Sequence, residues 1–373
     1  MSRAVRTLTV AVLGAGGRIA PALVRDLADS QEVATMRLLD LSGERAAAVA
    51  TTHGLGKAQS QALDAGSGDL AAALDGCDVL ANCASYRLNL DAMRACLKAG
   101  CHYLDLGGLY WMTGKQLELG GNFRKAGLLA LLGMGSSPGK TNVMAVRAAR
   151  ELASVEALHV SAAGRDLDPP PGFSVPYAVA TLIDELTMHP VVLREGEPIE
   201  IEPMSPGGEV DFGDPIGKQG TIHTLHSELR TFGDSFGCRE ASFRLSLPEA
   251  LLARLVDLSN APPAEREQAD GETLPPSPRT VSAHVVEALG DGRRVRITAI
   301  TSPSERWGLG GSVVSTAAPA AAAIRLLARG RLEARGALPP ERCVDPDDLF
   351  AELESRACEF TVDASTEAAA VST

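Results

Sequence analysis

The sequence predicts an α/β fold, a doubly wound parallel sheet interrupted by an inserted α+β domain. Three observations carry this. Short apolar runs alternate with helical patterns over the first 150 residues, an order that buries a parallel sheet between helices. The first apolar run stops on Gly14-Ala15-Gly16-Gly17, directly before a helical pattern. After residue 150 the strand patterns follow one another in pairs, and the pair flanking Gly290-Asp291-Gly292 is a hairpin signal.

In chain order, Thr7–Leu13 is a strand and Ile19, Leu23 and Leu27 mark a helix. Thr35–Asp40 is the second strand, followed by a helix over Glu44–Thr51. A short helix at Leu70–Leu74 precedes the strand Asp78–Ala81, and the helix Leu88–Lys98 ends at Gly100. His102–Leu106 and Leu128–Leu132 complete the parallel set. In the second domain Ala157–Ala163 is a strand and Val175–Leu186 a helix after the turn Asp168–Pro171. Val191–Ile201 holds two short strands around Gly196. Asn260–Arg279, with five prolines, reads as an exposed loop. Thr280–Ala288 and Arg293–Thr301 form the hairpin, and Ser312–Arg329 is an Ala-rich helix that returns to the first domain. The expected division is 1–150 plus 310–350 for the first domain and 151–309 for the insertion. Residues 360–373 are expected to be a disordered tail, because Glu367–Thr373 are small and polar.

Composition narrows the function classes. The 373 residues are 45% hydrophobic and 22% charged, enough apolar surface for a packed core. The net charge of −12 repels phosphate backbones and anionic lipid, so neither nucleic acid nor a membrane surface is an expected partner. The basic start, Met1–Arg6, leads into an apolar run too short for a signal peptide, and a cytoplasmic location is expected. Seven cysteines form no CxxC. Cys77, Cys83, Cys96 and Cys101 sit among apolar residues as packing thiols, and neither a disulfide framework nor a metal is indicated.

The glycine turn carries the first chemical signal. A dinucleotide-binding (Rossmann-type) turn needs glycine where the backbone reverses and where pyrophosphate meets the helix N-terminus. Gly14 and Gly16 fill those places, Gly17 is an additional glycine, Arg18 follows, and Ile19 replaces the third glycine. Alone, this is equally a tight turn. Asp40 ends the second strand 24 residues beyond Gly16, where a carboxylate accepts from the adenosine ribose; its alternative role is that of a helix N-cap or strand-end aspartate. A carboxylate there favours NAD over NADP, and Arg45 one turn later relaxes the preference. At the other strand ends, Asn82 and Ala84 either line the cofactor or satisfy local backbone. Asp105–Gly108 and Gly133–Gly139 share that edge.

Four stretches together resemble the saccharopine dehydrogenase-like superfamily, in the branch with saccharopine reductase, lysine 6-dehydrogenase and carboxynorspermidine synthase. They are Gly14–Gly17, Cys101–Gly108, the run Gly133-Met134-Gly135-Ser136-Ser137-Pro138-Gly139-Lys140-Thr141-Asn142, and Gly308–Ser312. The resemblance implies a Rossmann domain interrupted by an α+β domain, with the active site between them. It implies hydride transfer between a nicotinamide cofactor and a carbon bearing an amine, through an imine. It also implies a homodimer or larger homo-oligomer. Lys140 stands where relatives carry an apolar residue, and Tyr177-Ala178-Val179-Ala180 lacks a charged residue that relatives place there.

Oxidising an amine carbon requires a base, because an ammonium has no lone pair with which to expel hydride. The segment Gly220–Glu228 offers His223, His226 and Glu228. His223-Thr224 matches a pair in lysine 6-dehydrogenase, and His226-Ser227-Glu228 matches other bacterial relatives; either histidine can equally be structural. Tyr86 matches a tyrosine of two relatives and either donates to substrate or packs in its loop. Asp105 either binds a substrate ammonium or caps its turn. Arg87, Lys140, Asn142 and Arg165 are the candidates for the rest of the substrate, or solvated surface groups. The expected activity is an NAD(P)-dependent oxidoreductase of an amino acid or amine. The alternatives are an idle protein that senses the nicotinamide pool, and a reductase of a non-amine substrate on the same scaffold.

Overall fold

In a computed structural model, the chain is described over residues 6–366 other than 68 and 176. It divides into two units: one runs to Lys140 and adds 304–309 and 313–356, and the other takes 141–303, 310–312 and the residues from Ala357.

In the first unit the order is β1 (Leu8–Leu13), α1 (Ala20–Ala28), β2 (Val33–Asp40), α2 (Gly43–His53), β3 (Ala58–Ala62), α3 (Leu70–Ala73), β4 (Val79–Asn82) and α4 (Asn89–Ala99). There follow β5 (His102–Asp105), α5 (Leu109–Leu117), α6 (Gly120–Lys125) and β6 (Leu129–Leu131). The second unit begins in α7 (Lys140–Ala149), then β7 (Ala157–Asp166), α8 (Val179–Thr187), β8 (Val191–Arg194), β9 (Glu197–Glu200), β10 (Pro206–Asp211) and β11 (Lys218–His223). It continues with α9 (Phe232–Phe236), β12 (Glu240–Leu245), α10 (Glu249–Ser259), α11 (Pro263–Glu272), β13 (Thr280–Gly290) and β14 (Arg293–Thr301). The chain then re-enters the first unit through α12 (Gly311–Ala328), β15 (Gly336–Leu338) and α13 (Pro346–Glu354), and ends in β16 (Cys358–Thr366).

The first sheet has the order β15-β6-β5-β4-β1-β2-β3, all parallel. Its register aligns the strand ends that matter. Leu13 lies beside Leu39 and Asn82, and Asn82 lies beside Asp105. Two of the helices start where a side chain satisfies orphan amides: Ser42 accepts from Arg45 at α2, and Asp345 accepts from Asp347 and Asp348 at α13. Leu13, Leu39, Leu80, Tyr103 and Phe123 centre the core between sheet and helices. Cys77, Cys96 and Cys101 are buried there as free thiols.

The second sheet is mixed, in the order β10-β11-β12-β7-β13-β14-β16, with β8 beside β12 and β9 beside β8. Only β12 and β7 pair in parallel among the described strands of this sheet. The Gly290-Asp291-Gly292 turn takes positive φ at Asp291 and Gly292, as a two-residue hairpin requires. One face of α8 packs Val179, Leu182, Ile183 and Leu186 against Leu255 and Leu258 of α10 and Ala269 of α11.

Three expectations need correction. Residues 360–373 were expected as a tail, yet Cys358–Thr366 form β16, which pairs with β14 along its whole length; Glu367–Thr373 lie outside the described residues. Backbone pairing with an open strand edge outweighs weak local propensity there. The Asn260–Arg279 loop contains helix α11, with Pro263 at its start, where a missing amide costs nothing. The unit boundary falls at Lys140, not at residue 150, because α7 belongs mostly to the second unit. Among the described residues α12 is long and apolar enough to cross a membrane, and most of it is buried.

Candidate functional site

At the strand ends of the first unit, Gly14 and Gly16 are required by close approach. Gly14 has φ +75°, and a Cβ there would lie 2.6 Å from the Ala84 amide nitrogen. A Cβ on Gly16 would lie 2.6 Å from Arg45 Cβ and 3.1 Å from Asp40 Oδ2. Thus Gly14, Gly16, Asp40, Arg45 and Ala84 meet at one place. Asp40 is buried: its Oδ2 accepts the Gly16 amide at 2.8 Å and its Oδ1 accepts the Ser42 amide at 2.8 Å. Arg45 reaches Oδ1 at 3.7 Å while its side chain stays largely exposed. The α1 N-terminus, just after Gly17 and Arg18, has Ile19 as its N-cap, no side-chain cap and no acidic residue in its first turn. An uncapped, acid-free helix start beside an exposed glycine suits a pyrophosphate, so these residues fit a nicotinamide dinucleotide.

Asn82 and Asp105 belong to a buried polar knot. Asn82 Nδ2 donates to Asn89 Oδ1 at 2.9 Å, and its Oδ1 accepts the Ala84 amide at 3.1 Å. Asp105, 1% exposed, accepts at Oδ1 from the Gly133 and Gly107 amides at 2.7 and 2.9 Å. At Oδ2 it accepts from Gln116, Tyr103 and Asn89 at 2.6, 2.9 and 3.2 Å. Burial raises its pKa, and the bonds from Gln116, Gly133, Tyr103 and Gly107 pull it back only in part. Five donors exhaust a carboxylate's acceptor sites. Asp105 therefore ties three strand-end loops together, the turn-capping role of the two expected for it.

Lys140 is not the solvated surface charge that was one of its two expected roles. It is fully buried, with Nζ donating to Ser315 Oγ at 2.7 Å, and Ser136 bonds Thr316 at 3.2 Å. The Gly133–Lys140 loop is thereby pinned to α12. Asn142 is buried as well. Tyr86 is half-buried at a 3-10 turn, with the exposed Arg87 guanidinium 4.9 Å from its ring centre. Arg165 NH1 donates to the Pro215 carbonyl at 2.8 Å.

The histidine segment lies in the second unit, and its two imidazoles are treated differently. His223 on β11 bonds the Phe243 carbonyl through Nδ1 at 3.2 Å. Burial lowers its pKa, with the Phe243 carbonyl opposing and Arg244 adding to the fall. His226 is 6% exposed, is hydrogen-bonded through Nδ1 to Glu228 Oε2, and stacks on Phe243 with ring centres 3.6 Å apart. Thr141 donates to the other oxygen of Glu228 at 2.8 Å. Burial disfavours the His226 cation, but Glu228 and then Glu185 outweigh it, so its pKa lies above the ordinary value.

Two neighbours of this pair escaped the sequence reading. Tyr177 donates to Glu185 Oε2 at 2.6 Å, and burial lifts the Glu185 carboxyl to about 7 against the pull of His226 and Tyr177. A signal existed. Glu185 sits on the buried face of α8 beside Leu182 and Leu186, and a carboxylate among apolar helix positions needs a reason.

Comparison with known proteins bears on the whole chain. The family model of the saccharopine dehydrogenase NADP binding domain matches residues 10–131. Saccharopine dehydrogenase (L-Glu forming) from Saccharomyces cerevisiae is similar in structure, with a TM-score of 0.71 at 14% identity, over 96% of this chain and 100% of that one. Homospermidine synthase from Legionella pneumophila, solved in complex with NAD, gives a TM-score of 0.76 at 13% identity, over 98% of this chain and 93% of that one. At such identities the likeness is one of fold. With the glycine turn, the Asp40 corner and the strand-end loops in place, the chain carries a saccharopine dehydrogenase-type NADP binding domain on a saccharopine dehydrogenase-like fold.

Proposed function

We propose that the protein is an NAD(P)-dependent oxidoreductase acting on the C–NH bond of an amino acid or amine through an imine. The observation that carries the reading is the buried His226–Glu228 pair, a base held ready in a chain with an NADP binding domain. Gly14, Gly16, Gly17 and the α1 N-terminus hold the pyrophosphate, and Asp40 and Arg45 meet the adenosine ribose. Bound there, the nicotinamide supplies the hydride acceptor or donor. The Asp40 carboxylate suits the ribose hydroxyls of NAD, whereas the exposed Arg45 guanidinium suits the 2′-phosphate of NADP.

His226 performs the proton chemistry. Its Nδ1–H donates to the Glu228 carboxylate, which fixes the tautomer and leaves Nε2 as the acceptor. Nε2 takes a proton from the substrate ammonium, so the nitrogen regains the lone pair that assists loss of hydride from the adjacent carbon. The product is an iminium, and the same imidazole guides water onto it. The relatives' names point the same way: one is a saccharopine dehydrogenase and the other a homospermidine synthase. Free thiols at all seven cysteines suit a reducing cytoplasm.

Incubation with NAD or NADP and a panel of amino acids, saccharopine-like secondary amines and polyamines, followed by NAD(P)H absorbance, tests the reading. Cofactor reduction with at least one amine is expected. Tight dinucleotide binding without turnover of any amine overturns it.

A further inference from the structure

At the edge of the first sheet opposite the glycine turn, a cavity of about 330 Å³ opens where β1, β4 and β5 begin and α12 ends. No residue assigned above to cofactor or proton chemistry lines it. The imidazole in its wall is fixed in one form. The Leu129 amide donates to His102 Nδ1 at 2.9 Å, so Nδ1 holds a lone pair and Nε2 holds the proton. That N–H has no acceptor among the described residues. Burial, and after it the Arg335 guanidinium, bring the imidazole pKa down to about 4, which leaves an uncharged donor at neutral pH. Most charge around the cavity is balanced locally. Arg6 pairs with Asp78, whose other oxygen accepts the Thr9 amide at 2.8 Å. Arg329 pairs with Glu32 and Glu352, and Glu333 is exposed. Arg335 differs: NH1 donates to the Leu332 and Ala334 carbonyls at 3.4 and 2.8 Å, and no carboxylate pairs with it among the described residues. The negative end of α12 is quenched, because the carbonyls of its last turn already accept the amides of Arg6, Arg329, Gly330 and Arg331.

We propose that this cavity is a second ligand site, one that binds a small monocarboxylate with a short hydrocarbon chain. The carboxylate accepts from the Arg335 guanidinium, whose Nε and NH2 bond nothing else among the described residues, and from His102 Nε2–H. The chain lies on Leu8 and Leu332, which are buried, and on the half-buried Leu327. Charge selects the class. One cation without a counter-ion is matched by one anionic group, whereas a dianion would bring a second charge to a wall that is partly apolar. The imidazole adds selectivity, because in its fixed form it offers the cavity a donor and no acceptor. A cavity of this volume, with an apolar wall and a few convergent donors, has the make-up of a small-molecule site. The site stands whether or not the amine reading does, since it shares no residue with it.

Two readouts on the full chain decide it. Calorimetric titration at constant ionic strength with acetate, propionate and butyrate should show affinity rising along the series, with butyrate binding at about millimolar or tighter. Butyramide, the uncharged match, should bind at least about tenfold more weakly than butyrate. Arg335→Gln should weaken butyrate by about tenfold or more. Arg335 is exposed and bonds only its own loop, so this variant keeps the fold and decides by itself. His102→Asn, whose Oδ1 can still accept the Leu129 amide while the Nε2 donor is lost, should weaken butyrate to a similar extent. In protein labelled with ¹⁵N-histidine, butyrate should shift the His102 Nε2 resonance, and Arg335→Gln should suppress that shift. Equal binding of butyrate and butyramide, butyrate affinity unaltered in Arg335→Gln, or no binding of any of the three acids at about 20 mM overturns the site.

Discussion

His223 and His226 lie on the same short segment yet differ in what they can do with a proton. His223 spends Nδ1 on a backbone carbonyl, and burial holds its pKa down. His226 has a carboxylate partner that is itself held by Thr141. His226→Gln should therefore lower kcat by about 10²- to 10⁴-fold with NAD(P) affinity little changed. His223→Ala should stay within a few-fold of the parent, and steady-state kinetics with dinucleotide titration read both. Equal losses in the two variants would contradict the assignment. At the cofactor corner, Arg45→Ala should weaken NADP binding by about tenfold, the worth of one charge-assisted contact, and leave NAD binding unchanged; calorimetric titration separates the two. That Asp40 and the Gly14–Gly16 turn meet was legible from spacing alone, since it follows from a strand, a turn and a helix adjacent in sequence. Asp105 was legible as a cleft-edge acid, but not as a saturated one. Its donors come from Asn89, Tyr103, Gln116 and Gly133, on elements that only the folded sheet brings together.

Among the elements, α12 shows how an Ala-rich helix is anchored. Its Arg325 is buried and reaches Asp26 of α1 at 2.8 Å and Glu352 of α13 at 2.6 Å. Arg356 shares both carboxylates, at 2.9 and 3.0 Å. Removing Arg325 strips Asp26, 1% exposed, of its most deeply buried counter-ion. Arg325→Ala should cost about 3–5 kcal/mol by chemical denaturation, while Arg325→Met, which keeps the stem packing, should cost less. A loss below about 1 kcal/mol for the alanine variant would mean that Arg356 compensates fully. Helix α12 itself was foreseeable from composition and α8 from its apolar spacing. Helix α11 was not, because its prolines read as breakers until their place at the helix start is known. Strands β10, β11 and β12 were missed for a related reason. They hold glycine, charge and irregular alternation, and their pairing along the sheet decides them.

For the whole molecule, buried titratable groups squeeze stability from both sides of neutrality. His102 accepts the Leu129 amide at Nδ1 at 2.9 Å. Its pKa falls from 6.5 to about 4, chiefly by burial and then by Arg335. Its folded value is depressed, so its contribution is complete above 6.5 and is lost as pH falls towards 4. Glu185 acts in the opposite direction. Its folded value is raised from 4.5 to about 7, so the folded state binds the extra proton, and the stability this confers fades as pH rises through that window. Glu185→Gln should therefore stabilise the protein above pH 7 by up to about 3 kcal/mol and have little effect near pH 4.5. Melting curves across pH check this, and a variant destabilised at alkaline pH would refute it.

Sequence by itself determined the doubly wound first sheet, the dinucleotide turn, the β13–β14 hairpin and the family resemblance. Each of these depends on periodicity, turn residues or spacing between neighbours in the chain, and short-range sterics act before any tertiary contact. Tertiary structure alone decided that Asp105 is saturated, that Lys140 is locked to Ser315, that β16 closes onto β14, and that the Leu225 amide is tied to Glu185 of α8. Those outcomes join residues far apart in sequence: 28 for Gly133 to Asp105, 87 for Thr141 to Glu228 and 175 for Lys140 to Ser315. A buried polar group takes whichever partner the topology delivers, and in a chain of this length no local pattern specifies which one that is.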